Sequence, residues 1–190
     1  MATANTISDN GQIIAGAAGP RGFRFESESE FVNGAFTHQC SVLGMHADGQ
    51  TLVGYSLLNG RTIATWWNGV DPYVLPTPPG FGSSAWTRAI DISDDRSVII
   101  GQVSVGSDIR AVVWRNGVPQ LLGDLLAADG ADLTGWRISH VSAISADGRL
   151  IVGEAFNPNG KLQAYVATIP APGGLVVLGG GVCLCVRRRR

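Results

Sequence analysis

Lysine is almost missing from this chain: Lys161 is the only one among 190 residues. Cysteine is scarce too. Cys40, Cys183 and Cys185 are too few for a disulfide framework and give no indication of redox compartment. Charged residues make up 15% of the chain, and the formal net charge is −1. That balance is uneven, because Arg187, Arg188, Arg189 and Arg190 supply four of the fourteen basic residues and leave an acidic body. An acidic body lacks the basic surface that displaces counterions, so nucleic acid is excluded as a partner. The start, Met1-Ala-Thr-Ala-Asn-Thr, has no basic n-region and no apolar h-region. No G-x-S-x-G elbow and no Gly-rich loop ending in Lys-Ser/Thr is present, and no carboxylate pair is singled out by its spacing. No catalytic residues and no cofactor are therefore expected.

Glycine is abundant instead. Its 26 residues are about twice an average share of roughly 7%. A hydrophobic fraction of 45% rules out a disordered chain. Glycine-rich, lysine-poor composition with many β-branched residues points to turn-rich β-structure. Before residue 169 no stretch carries a helical period, and residues 125–128 would make one turn at most.

Four segments align without gaps: SDNGQIIAG from Ser8, HADGQTLVG from His46, SDDRSVIIG from Ser93 and SADGRLIVG from Ser145. They end at Gly16, Gly54, Gly101 and Gly153, with spacings of the 40–50-residue order typical of propeller blades. Asn10-Gly11, Asp48-Gly49 and Asp147-Gly148 supply the positive φ of a tight hairpin turn. In the third copy Arg96 replaces the glycine, which implies another turn type or strain. Residues 12–15, 50–53, 97–100 and 149–152 read as the following strands. The aligned glycine either ends that strand or permits close backbone approach. A second hairpin is expected at Asn68-Gly69 and at Asn116-Gly117. Each full copy thus reads as four antiparallel strands, the content of one blade.

The unit S-x-D-G-x-x-V-x-G followed by A-x-x-W-x-N-G resembles the HAF repeat of bacterial extracellular proteins, over roughly residues 4–168. The resemblance implies an all-β, propeller-like array of about four blades. The first copy departs from the pattern, with Glu26-Ser-Glu-Ser-Glu30 where Trp-x-Asn-Gly is expected. An incomplete first blade, an exposed edge near residues 20–40 and self-association through it are the expectation.

Residues 169–190 form a separate tail. Gly173 to Val186 is uncharged and apolar, and as a helix it would span about 21 Å, short of a roughly 30 Å hydrocarbon core. Pro170-Ala171-Pro172-Gly173, that apolar run and Arg187 to Arg190 resemble the PEP-CTERM sorting signal. The resemblance implies a hydrophobic helical tail that holds the membrane through residues 173–186 and is processed by an exosortase-like enzyme. The positive-inside rule would keep the arginines cytoplasmic and the body outside. The body would end extracellular or at the cell surface. Because the start lacks a leader, the chain is expected to have lost its true N-terminus.

Trp66 and Trp114 each stand two residues before an Asn, which implies burial between blades. Trp67, Trp86 and Trp136 have no such repeated place and are the candidates for binding a ligand such as a polysaccharide. Asp91, Asp94, Asp95, Asp124, Asp129 and Asp132 read as turn formers rather than a calcium loop, and His38, Cys40 and His46 lack further metal ligands nearby. No metal is expected.

Overall fold

The computed structural model describes residues 1–169. The Pro170–Gly173 motif, the 173–186 run and Arg187 to Arg190 lie outside the described residues.

Four antiparallel sheets follow one another along the chain. The first contains β1 (Ala2–Ile7), β2 (Ile14–Ala18), β3 (Arg21–Phe25) and β4 (Ser29–Phe31). The second contains β5 (Cys40–Met45), β6 (Thr51–Leu58), β7 (Arg61–Asn68) and β8 (Asp71–Val74). The third contains β9 (Trp86–Ile92), β10 (Val98–Val105), β11 (Asp108–Arg115) and β12 (Val118–Leu121). A short helix, α1 (Leu122–Ala128), leads to the fourth, with β13 (Arg137–Ile144), β14 (Leu150–Phe156) and β15 (Leu162–Thr168). Within every sheet the strands neighbour each other in chain order, which is the meander of a propeller blade. Among the described residues, the incomplete blade is therefore the fourth, with three strands. Blade 1 has all four, and the charged segment 26–30 enters β4, a short and fully exposed edge. The helix also exceeds the single turn expected, because Leu122 and Leu126, one turn apart, are both buried in the layer between blades 3 and 4.

The hairpin turns are one device built four times. In blade 1 the Ser8 N–H and carbonyl bond Ile13 and Gly11, while Ser8 Oγ donates to Asn10 Oδ1 at 2.7 Å and accepts from the Ile13 N–H. Ser93 with Asp95, and Ser145 with Asp147, repeat the hydroxyl bond at 2.6 and 2.5 Å, with a carboxylate in place of the Asn10 amide oxygen. Side-chain bonds of this kind satisfy a turn's backbone without a partner strand. Arg96 adopts φ 60° where Gly11, Gly49 and Gly148 have 70–72°. The turn type is thus unchanged, and a left-handed non-glycine residue costs about 1 kcal/mol.

Gly16, Gly54, Gly101 and Gly153 do not end their strands. Each lies inside the second strand, opposite Ala4, Val42, Ala89 and Val141. Immediately after each partner the first strand carries an extra residue, Asn5, Leu43, Ile90 or Ser142, so a β-bulge occupies the same place in every blade. A Cβ on any of the four glycines would sit 2.0–2.1 Å from a first-strand carbonyl oxygen, of Thr3, Ser41, Arg88 or His140. Close backbone approach, the other reading of the aligned glycine, is what the fold uses.

The core is three layers, each between consecutive blades. Ile13 and Ala15 of blade 1 meet Val42, Leu52 and Trp67 of blade 2. Val53 and Ala64 of blade 2 meet Ala89, Ile99 and Trp114 of blade 3. Val98, Ile100 and Val113 of blade 3 meet Val141, Ile151 and Ala167 of blade 4. Among the described residues, no helix is long and apolar enough to cross a membrane.

Candidate functional site

The tryptophans divide differently from the expectation. Trp67 is fully buried, and its indole N–H donates to the Asn33 carbonyl at 2.6 Å. Trp114 is equally buried and donates to the Pro76 carbonyl at 2.8 Å. Both carbonyls belong to the chain leaving the previous blade's last strand. Trp67 pairs with Leu52 and Trp114 with Ile99, two residues before Gly54 and Gly101 respectively, so these two are the equivalent pair. Trp67 is therefore a packing residue and offers no face to a ligand. Trp66 is half-buried on the opposite side of β7, stacked on Tyr73 at 4.5 Å and 19° between planes.

Trp86 is 46% exposed at the start of β9. It borders an open groove of about 290 Å³ that runs between blades 2 and 3. Tyr55 and Thr62 line it from blade 2, and Arg88, Gln102 and Ser104 from blade 3. Arg88 donates through Nε and a terminal nitrogen to Gln102 Oε1, at 3.0 and 2.6 Å. The fork leaves the Gln102 amide nitrogen and the remaining guanidinium hydrogens for other acceptors. A flat aromatic face beside such donors suits a polyhydroxylated ring. Tyr55 and Gln102 escaped the sequence reading. Both directly follow a repeat glycine, and that shared position was the available signal.

Trp136 is half-buried and lines a smaller cavity of about 200 Å³ with Arg110, Asp124 and Leu133, between blade 3, α1 and blade 4. Trp86 and Trp136 thus serve two separate grooves, and the structure does not bring them into one site.

The remaining candidates are structural. Asp91 accepts the N–H groups of Ile92 and Ile144, the second from blade 4, and burial raises its pKa despite them. Asp95 and Asp132 close turns onto Ser97 and Thr134. Asp124 lines the Trp136 cavity, and Asp129 follows α1 as its C-cap. Cys40 is buried, accepting the Gly22 N–H at 3.4 Å, and burial pushes its thiol pKa up. His46 follows the far end of β5, six residues and about 20 Å along the strand from Cys40. His38 is exposed, so the three do not converge. Among the described residues, no three His, Cys, Asp or Glu side chains group as metal ligands.

His46 stands where other copies have serine, and its Nε2 donates to the Asp94 carbonyl of blade 3 at 2.7 Å. Asp94 in turn sends its N–H to the Ala146 carbonyl of blade 4 at 2.9 Å, and Asp9 sends its N–H to Ala47 in blade 2 at 3.3 Å. The turns form a hydrogen-bonded chain across all four blades. Asp48 belongs to it and also pairs with Arg96. Burial opposes ionisation of Asp48, but the Gln50 N–H, His46 and Arg96 outweigh it and hold the carboxyl at about 2.

A nearly all-β chain of four meandering sheets, packed face to face, defines a propeller-like repeat protein. Solved structures of the same form exist. A putative TolB from Agrobacterium tumefaciens superposes with a TM-score of 0.63 at 15% identity, covering 88% of this chain and 58% of that one. TolB from Acinetobacter baumannii gives 0.57 at 13% identity, covering 89% and 41%. The chain therefore spans about half the length of these neighbours. At such identity the likeness concerns the fold. No protein-family profile and no curated protein matches the sequence.

Proposed function

We propose that the protein is a non-catalytic, exported repeat scaffold of the bacterial surface or extracellular matrix, delivered by its C-terminal tail to an exosortase-type enzyme. The order of parts in the tail carries this reading: Pro170-Ala171-Pro172, an apolar run and four terminal arginines. Its junction with the body supports it. β15 ends at Thr168, and Ile169 is buried with its N–H on the Arg149 carbonyl. The motif thus begins one residue beyond the folded body. Prolines lack the backbone donor that a helix or sheet would engage and bias their neighbours to extended forms, which suits a protease's substrate. Cleavage near Pro170 to Gly173 would part the body from the membrane segment. In a host with exosortase, and with a secretion leader placed before Met1, intact-mass measurement of the mature protein is expected to show loss of the arginine-bearing end. Recovery of a chain still ending in Arg190 would overturn the reading.

The groove at Trp86 favours a second reading, a carbohydrate-binding module. Titration with an acidic or neutral polysaccharide is then expected to quench tryptophan fluorescence, and Trp86→Ala to abolish the change while leaving the fold intact. An unchanged response in Trp86→Ala would remove the groove from consideration.

A further inference from the structure

Blade 3 brings four unlike side chains together at the Trp86 groove. Trp86 and Arg88 stand two residues apart on β9, about 6.6 Å along the strand, and alternation puts them on the same face. Their cross-strand partners on β10 are Ser104 and Gln102. One face of two neighbouring strands thus carries an exposed aromatic plane, a guanidinium, an amide and a hydroxyl, all lining the groove. The fold does not require this combination. The place of the Arg88–Gln102 pair is held by Ser41 and Tyr55 in blade 2, and by His140 and Glu154 in blade 4.

Arg88 is the charged member, and its hydrogen bonds use only one side of it. Gln102, 6% exposed, accepts from Nε and one terminal nitrogen on a single oxygen. That occupies one edge of the planar guanidinium and fixes its orientation. The edge between the two terminal nitrogens keeps two N–H groups pointing the same way, a geometry that meets both oxygens of a carboxylate. Among the described residues no carboxylate pairs with Arg88 and no other charged side chain lines the groove, whereas Arg24, Arg96, Arg110 and Arg137 each pair with an acid. An exposed guanidinium, oriented by a buried amide in a body rich in acidic residues, suits an anion from outside.

We propose that the groove takes a uronic acid unit of an acidic polysaccharide, with the sugar ring lying on Trp86 and its carboxylate on the free edge of Arg88. The assignment rests on the carbohydrate-binding reading of this groove and adds the ligand's charge to it. One guanidinium balances the single charge of a carboxylate, whereas a phosphate monoester would bring about −1.5 to −2. A carboxylate carried directly on a sugar ring needs its cation beside the stacking plane, and Arg88 is the next residue on the face that Trp86 occupies. Ring hydroxyls would meet the Ser104 hydroxyl, the Gln102 amide nitrogen and, from blade 2, the Tyr55 hydroxyl. The seam is fixed at this point, because the Ala64 N–H of blade 2 donates to the hydroxyl of Thr87, between Trp86 and Arg88, at 2.8 Å. Binding there needs little rearrangement of the two blades, which keeps its entropic cost low.

Fluorescence titration of the full chain tests this. The acidic probes are oligomers of galacturonate, glucuronate and mannuronate, the neutral probes are the methyl esters of the same oligomers, and dextran sulfate is a polyanion without a carboxylate. At least one uronate is expected to quench tryptophan fluorescence with an affinity about tenfold or more above that of its own ester, the size of one hydrogen-bonded charge pair. Arg88→Gln is expected to erase that preference, and Arg88→Lys, which keeps the charge but not the fork, to retain only part of it, both with an unchanged circular dichroism spectrum. Trp86→Ala is expected to abolish the response to acid and ester alike. Equal affinity for acid and ester, or a preference that survives Arg88→Gln, would overturn the uronate assignment and leave the groove a site for neutral sugar. Dextran sulfate binding as tightly as the best uronate would equally overturn it, as a general attraction of polyanions. Silence with every probe would sink the carbohydrate reading of the groove and this assignment with it.

Discussion

Gly101→Ala is expected to destabilise the protein by about 3 kcal/mol or more, the upper range for forcing atoms into a filled interior. The added methyl would lie 2.0 Å from the Arg88 carbonyl oxygen, 3.0 Å from Ala89 Cα and 2.8 Å from the ring of Trp114. The first two are backbone, fixed on one side by the bulge at Ile90 and on the other by the β9–β10 ladder. Relief would require β9 to separate from β10 at the centre of blade 3, where Ala89 packs towards blade 2. Since a domain's whole stability is roughly 5–15 kcal/mol, this one methyl removes a large part of it. Gly60→Ala is the control. Gly60 has φ 78° with open space around it, so alanine there costs only about 1 kcal/mol of backbone strain. Urea denaturation of both variants measures the difference. Equal midpoints would show that the bulge yields and that the repeat glycine has no steric role.

How much of this was readable beforehand depends on the range of the interactions. The Ser-x-Asp-Gly turns were legible because their bonds close within five residues, Ser8 to Ile13 and Ser93 to Val98. The repeat glycines were legible as a register, but their place opposite a bulge was not, since a bulge is a relation between two strands. The tryptophans misled for a related reason. Aligning on Asn-Gly pairs Trp66 with Trp114, yet the β7–β8 turn is Gly69-Val70 while the β11–β12 turn is Asn116-Gly117. The turns differ by one residue of phase, and one residue moves a side chain to the other face of the sheet. Helix α1 had only the Leu122–Leu126 pair to announce it, with no side-chain cap at Leu121. The Trp86 groove was invisible because Tyr55 and Gln102 come from different blades and share only their position after a glycine.

The corrected phase makes its own prediction. Trp67→Ala and Trp114→Ala are each expected to cost about 3–5 kcal/mol, the range for truncating a buried aromatic, and Trp66→Ala clearly less. Each of the first two removes a fully enclosed indole from an inter-blade layer and also leaves the Asn33 or Pro76 carbonyl without its donor. An orphaned buried acceptor adds about 1–3 kcal/mol where water cannot reach it. Trp66 loses a half-buried ring that stacks on the solvent-facing Tyr73 and only borders the layer between blades 2 and 3, so water reaches part of what is removed. Blade 4 shows that the position tolerates a small residue only with compensation. Ala167 takes the tryptophan's place, and Leu122 and Leu126 of α1 join the same layer. Blades 2 and 3 have no helix before their first strand to offer that filling. Chemical denaturation of the three variants, followed by circular dichroism rather than by the altered fluorescence, separates the two phases. If Trp66→Ala proved as costly as Trp67→Ala, the pairing of Trp67 with Trp114 would be wrong, and the Asn-Gly alignment would describe the packing after all.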